Sequence, residues 1–537
     1  MRIPLLIATA AALCAAQAQS ISGERIRADV KFLSSDLLEG RGVATRGGEL
    51  ATAYLSTQFA LMGAKPAGDD GTYFQKVPLT GIETQPGAQL SAARGGQTVS
   101  MKWLEDFVGA DERQKPAGEF DAEAIFIGHG IVAPEFQWDD FKGVDVRGKV
   151  VVLFTNEPDS NDPKFFGGRA LTYYGRWTYK YEEALRKGAL AAIIIHTTPT
   201  AGYGWNVVKN SWGRENFYVR RAPGEPALAF AGWVTEQAGS QILALAGHSV
   251  PELLAASNSR DFRPIPLGVH IRVQLRSKIR DEDTHNVIAK VEGSDPVLKS
   301  EALIFSAHWD HLGIGPAVNG DSIYNGAIDN GTGCGMLLEI ARAWAGLEQK
   351  PRRTALFIGF TAEESGLRGS EYYAAHPVIP AGKTAAAFNM DALLPYGRWL
   401  DVTVTGAERT TLWPLVQSAA ERMNLAIKPD PEPEQGYFYR SDHFSLARAG
   451  VPSFSISQGS ELAGKPAGHG AKLIQEYEEK HYHQPSDEYR EDWDFSGLAE
   501  LARFGMLIAL DTANLDKLPT WNPGDEFLAA REQSGVR

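Results

Sequence analysis

The sequence predicts an α/β protein with a mixed, largely parallel sheet flanked by helices and a second β/α module inserted into it. Three observations carry that reading. From "GVHIRVQLRS" onward, apolar runs of strand length alternate with helical patterns, the alternation that builds a parallel sheet covered by helices. The runs "EALIFSAHWD", "TALFIGFTAEE" and "AAAFNMDALL" each end in polar or acidic residues. Between about Glu119 and Phe262 the chain also alternates short strands and helices, but holds none of those acidic clusters.

Taken in order, the first residues, "MRIPLLIATAAALCAAQAQS", combine Arg2, an apolar Leu5-to-Leu13 stretch and the small-x-small site Ala16-Gln17-Ala18. That pattern predicts a signal peptide over residues 1–18 and an exported protein. Leu13 stands before Cys14 where a lipidation site needs a small residue, which favours plain cleavage. Residues 20–118 are read as the N-terminal part of the main domain. Within them "TRGGELATAYLSTQFALMGAKPAG" places Ala51, Tyr54, Leu55 and Met62 on one helical face with Gly63 as a stop, and "GTYFQKVPLT" reads as a strand.

The insert is expected over 119–262. It has strands at "AEAIFIGHGIV", "RGKVVVLF" and "LAAIIIHTT", and a helix at "YKYEEALRKGA". The main domain resumes over 268–515. There "GCGMLLEIARAWAG" sets Leu337, Ile340, Ala341 and Trp344 on one helical face between two strands. Residues 516–537, rich in Pro, Gly and charge, are expected to form a peripheral tail.

Composition narrows the function. A formal charge of −13 over 537 residues argues against nucleic acid as a partner, since that needs a basic face. It argues equally against reliance on anionic membranes. No run after the signal is long and apolar enough to span a bilayer. The only cysteines are Cys14 and Cys334, so signal cleavage leaves no internal disulfide. "GVDVRGKV" (143–150) and "GSELAGKP" (459–466) have phosphate-loop spacing but lack the Ser/Thr that holds magnesium. The chain has neither an H-E-x-x-H helix nor a G-x-S-x-G elbow.

The strand ends collect metal-type ligands: His308, Asp310 and His311 in "SAHWDHLG", Asp329 in "GAIDNGTG", Glu363 and Glu364 in "TAEESG", and Asp391 in "FNMDA". "HYHQPSDE" adds His481, His483 and Asp487. In open α/β sheets, groups at the carboxyl ends of strands converge on one crevice. Each residue alone would serve as a cap, turn or core hydrogen-bonding group. Together and in this order they form a His/carboxylate set without thiolates, which suits Zn²⁺. Five such ligands exceed what one catalytic zinc needs and suit two ions about 3.5–4 Å apart.

The series "HWDHLG … IDNGTG … AEESGLRGS … NMDA … HYHQPSD" resembles the M28 family of zinc aminopeptidases and related exopeptidases, from about Gly268 to Leu515. The segment from Glu24 to Leu79 looks like the start of the same domain. The 119–262 module resembles a protease-associated (PA) domain. The resemblance implies a zinc-exopeptidase fold, two Zn²⁺ ions and a peptide substrate. His308, Asp329 and Asp391 would hold one ion, and Asp329, Glu364 and His483 the other, with Asp329 bridging. Glu363 would be the general base and Asp310 a carboxylate orienting His308. Tyr482 and Tyr439 are both candidates for the donor to the oxyanion. An aminopeptidase is the leading expectation. A carboxypeptidase of the same fold, helped by Arg368 or Arg440, stays open, as does a non-catalytic binding protein. The one-zinc glutaminyl cyclase branch is disfavoured by the full set of five ligands.

Overall fold

The computed structural model describes residues 21–536, so the expected signal peptide and Cys14 lie outside the described residues. The chain divides into two compact units. One comprises the residues up to Val77, Asp283–Pro431 and those from Arg440 onward; the other comprises Pro78–Glu282 and Glu432–Tyr439.

The first unit is built on a mixed, largely parallel sheet. Its centre is four parallel strands in the order Thr354–Phe360, Ala302–His308, Thr384–Asn389 and Ser453–Gln458. All seven residues of the first two strands are buried, as expected for strands covered on both faces. Antiparallel pairing flanks the centre: Val287–Val291 runs against the Phe360 strand, and Asp401–Thr405 against the 453–458 strand. Phe305 stacks on Phe357 and Phe388, at 5.4 and 5.2 Å between ring centroids, which locks neighbouring strands face to face. Helix Gly333–Ala345 buries Leu337, Ile340, Ala341 and Trp344, the face read from the sequence, and packs against helices Gly23–Leu33 and Ser496–Ala513.

Two expectations are corrected here. Residues from 516 onward do not form a peripheral tail: Trp521 and Arg531 are fully buried, and the Arg531 guanidinium donates to the carbonyls of Pro519 and Ala381. A sequence rich in Pro and Gly still docks when one aromatic and one arginine find a slot. The second unit also begins earlier than the expected 119–262 insert. Strand Gln89–Arg94 pairs with Gln97–Lys102 and with residues 270–274 of the long strand Ile265–Val291, which ties residues from Pro78 onward to that unit. Residues Ile265–Val291 form one continuous strand, and the division between units falls within it, at Glu282.

The second unit has a parallel core of Val150–Phe154, Ala191–Ile195 and Phe230–Val234, with residues 124–126 alongside the first of these. Phe107–Ala110 pairs antiparallel with the 230–234 strand. Helix Trp177–Arg186 packs on the 191–195 strand.

Candidate metal centre

Four of the candidate residues sit at or just beyond the end of a strand of the first unit's central sheet. His308 is the last residue of its strand, Glu363 and Glu364 follow the Phe360 strand, and Asp391 follows Asn389. Asp329 lies in the distorted turn Ala327–Thr332 that opens helix Gly333–Ala345, and His483 in the loop after helix His469–Lys480. Three of these loops hold a non-glycine residue in the left-handed backbone region: Ala362 (φ 53°), Ala392 (φ 51°) and His483 itself (φ 57°). Such backbone strain persists only where surrounding contacts enforce it, and it clusters at functional sites.

The side chains converge around Asp329. His308 Nε2 lies 3.2 Å from Asp329 Oδ1 and 3.1 Å from Asp391 Oδ1. On the other carboxylate oxygen, His483 Nε2 lies 3.2 Å from Asp329 Oδ2 and 3.1 Å from Glu364 Oε2. Asp329 therefore faces one imidazole with each oxygen, as a bridging carboxylate would. Glu363 stands apart from this chain, its Oε2 4.0 Å from His308 Nε2.

Asp310 differs from its expected role. His308 Nδ1 meets the backbone carbonyl of Asp310 at 3.0 Å, while the carboxylate is 3.9 Å away. The carboxylate instead accepts the backbone N–H groups of Glu363 and Glu364, at 3.2 and 3.4 Å. It thus orients the glutamate turn, and the main chain orients the imidazole. Asp487 does the parallel work under Asp329, accepting the N–H groups of Ile328 and Asp329 at 3.0 Å.

Of the two tyrosine candidates, Tyr482 adjoins His483 and stacks on its ring at 3.9 Å between centroids. Tyr439 belongs to the second unit, in its Glu432–Tyr439 segment, and its ring lies 6.3 Å from that of Tyr173.

Several residues of the site were not singled out from the sequence. Arg41 is fully buried, and its guanidinium donates to four backbone carbonyls: Trp309 (2.9 Å), Leu33 (2.6 Å), Asn325 (2.6 Å) and Gly326 (2.8 Å). It pins the loop after His308 to the loop before Asp329. Ser441 donates to Asp391 Oδ2 at 2.6 Å and accepts from Asn389 Nδ2 at 2.7 Å. Asp442 is a fully buried carboxylic acid whose pKa burial lifts to about 7. Only the "EGRG" and "RSDH" stretches could have hinted at these, and nothing in them points to a ligand.

Electrostatics separates the adjacent glutamates. Burial lifts the Glu363 carboxyl well above its ordinary range, with the nearby His308 opposing. Burial acts on Glu364 too, but the charges of His483 and His311 hold it well below that range. His308 is lifted well above the usual imidazole value, since Asp391 and Glu363 outweigh the desolvation that would lower it. Burial likewise raises Asp310 to about 6. The two adjacent carboxyls are thus shifted in opposite directions.

The donor set fits Zn²⁺. Imidazole nitrogens and carboxylate oxygens converge in two groups, His308 with Glu363 and Asp391, and His311 with Asp329 and Glu364, each with ligand atoms within 4.8 Å of one another.

Comparison with known proteins gives concordant results. Residues 286–504 match the model of peptidase family M28. Carboxypeptidase Q of Xenopus laevis is 27% identical over 254 residues, 46% of this chain and 43% of that protein. The probable leucine aminopeptidase 2 of Aspergillus oryzae is 30% identical over 109 residues, 20% of this chain and 19% of that one. The chain therefore spans less than half the length of these curated relatives. The solved aminopeptidase from Aneurinibacillus sp. strain AM-1 superposes over 95% of this chain and 98% of its own, with a TM-score of 0.52 and 19% identity. At that identity the likeness concerns the fold.

Proposed function

The chain belongs to peptidase family M28 through residues 286–504, and from that premise we propose that it is an exported di-zinc exopeptidase acting as an aminopeptidase. The observation that carries this reading is the pairing of His308 and His483 on opposite oxygens of Asp329, with Glu363 Oε2 farther off, 4.0 Å from His308 Nε2. His308, Asp329 and Asp391 would hold one Zn²⁺, and Asp329, Glu364 and His483 the other. Bound there, zinc supplies a Lewis acid that acidifies water and polarises a peptide carbonyl.

The protein's own groups do the rest. Glu363 takes a proton from the attacking water at its carboxylate and returns it to the leaving amine nitrogen, so the proton balance closes within one residue. Its raised pKa suits both halves of that cycle. Asp310 keeps Glu363 and Glu364 in place through their N–H groups. Tyr482, beside His483, is the favoured donor to the oxyanion. The Pro78–Glu282 unit we read as the PA-like insert, carrying none of these groups.

The second reading is a carboxypeptidase, favoured by the likeness to Carboxypeptidase Q. One assay separates them: zinc-loaded protein with a peptide blocked at its N-terminus and another blocked at its C-terminus, each with and without chelator. An aminopeptidase cleaves only the free-N-terminus peptide, and chelator stops it. Cleavage of only the N-blocked peptide makes it a carboxypeptidase, and no metal-dependent cleavage of either supports a binding protein.

A further inference from the structure

His311 has no role in the five-ligand arrangement, yet it is buried against it. Its Nδ1 lies 2.6 Å from Glu364 Oε1, and among the described residues neither ring nitrogen nor that carboxylate oxygen has an aligned hydrogen bond. The slot is built for this ring. A Cβ added at Gly326 would stand 2.5 Å from His311 Cγ, and Gly326 adopts φ +58°, so only glycine lets the main chain lie against the imidazole. Arg41 fixes that glycine through its carbonyl, and the His311 backbone N–H donates to the Arg41 carbonyl at 3.3 Å.

The distances separate two possible roles. Ligands at about 2.0–2.2 Å from one tetrahedral zinc stand roughly 3.3 Å apart. The four His–carboxylate approaches around Asp329, at 3.1–3.2 Å, sit near that separation. The His311–Glu364 approach of 2.6 Å is shorter than the spacing of two ligands on one ion. The two histidines thus divide the carboxylate: His483 faces Oε2 and His311 faces Oε1.

We propose that His311 is a positioning residue for Glu364, its Nδ1 held against Oε1 so that Oε2 alone turns toward the metal position shared with His483 and Asp329. The inference rests on the metal-site reading above but not on which peptide end is cleaved. It makes Glu364 a one-oxygen ligand and spares its side chain an ordering cost at the moment of metal binding. Groups beyond the ligands that orient them are worth about 10–100-fold in metal affinity.

The test uses the full chain, stripped with chelator and titrated with Zn²⁺ by calorimetry and with Co²⁺ by visible absorption. His311→Phe should lower affinity at one of the two positions about 10–100-fold and leave the other unchanged. His311→Asn, whose amide nitrogen can occupy the place of Nδ1, should restore most of that loss with a wild-type cobalt spectrum. The apo proteins should melt alike. Two ions bound by H311F at wild-type affinity would overturn the proposal. So would equal losses at both positions in both variants, which would make His311 a packing residue. A cobalt spectrum in H311N one imidazole short would make His311 a ligand and overturn it too. If the wild type itself bound no ion, the metal-site reading would fall, and this inference with it.

Discussion

Both units bury clusters of ionisable side chains, and the two clusters are finished differently. In the second unit Asp140 accepts from Ile131 N–H and from Trp138 Nε1, Lys180 donates to the Asn156 carbonyl, and Glu157 accepts from Thr172. His129 bonds the Thr155 carbonyl and Asn258. In the first unit, by contrast, Glu364 Oε1, both His311 nitrogens and both Asp442 oxygens lack an aligned hydrogen bond among the described residues. Buried polar groups in folded proteins are almost always paired. A cluster that closes on itself reads as structural, and the one that leaves ligand-type atoms without protein partners is the candidate site. Charge agrees with this division. Lys180 sits among Asp140 and Glu157 as a counter-charge, whereas the site around Asp329 has a carboxylate excess with Arg41 as its buried guanidinium.

The sharpest break of that comparison is at the paired glutamates. Glu363→Gln keeps shape and removes the proton acceptor, so turnover should fall about 10²–10⁴-fold while both metals stay bound. Glu364→Ala should instead lower zinc content, read by elemental analysis of the purified protein. Near-wild-type turnover in the first variant would remove Glu363 from the chemistry, and normal zinc in the second would remove Glu364 from the ligand set.

The candidate residues were legible in the sequence because strand ends were legible. "ALIFSAH", "TALFIGF" and "AAAFN" are unbroken apolar runs, and sheet geometry alone aims the residues at and just beyond their ends into the crevice. Arg41 was invisible for the opposite reason. Its partner Trp309 lies 268 residues away, and a guanidinium satisfied by main-chain carbonyls leaves no pattern of partner residues to read. His311 was visible as a metal-type residue, but its relation to Glu364 depends on a slot shaped by Gly326. The start of the second unit was missed because Gln89–Arg94 alternates like any edge strand, and only its partner at 270–274 assigns it.

In the second unit, Lys180→Met tests the closed cluster. It removes the cation and its bond to Asn156, leaving buried Asp140 and Glu157 uncompensated, so stability should fall by about 3 kcal/mol. Zinc content and metal affinity should not change. A variant that lost metal as well as stability would show that the two clusters are not independent. Denaturant unfolding, followed by tryptophan fluorescence with and without zinc, reads both quantities.

The smallest effect belongs to His129, and its sign follows from burial. Desolvation lowers this imidazole to about 4 in the folded protein, and the like charge of Lys180 acts in the same direction. In the unfolded chain it returns to about 6.5. Between those values the unfolded chain binds the extra proton, so His129 makes stability fall as pH drops and contributes fully only above about 6.5. Going from about pH 7 to about pH 5.5 should cost about 1 kcal/mol through this residue, at about 1.36 kcal/mol per unit. His129→Gln can keep a hydrogen bond to Asn258 but cannot titrate, so the difference in stability between wild type and variant should shrink by that amount over the same interval. A difference independent of pH would mean that His129 binds protons equally in the folded and unfolded chain, so that burial does not lower its titration.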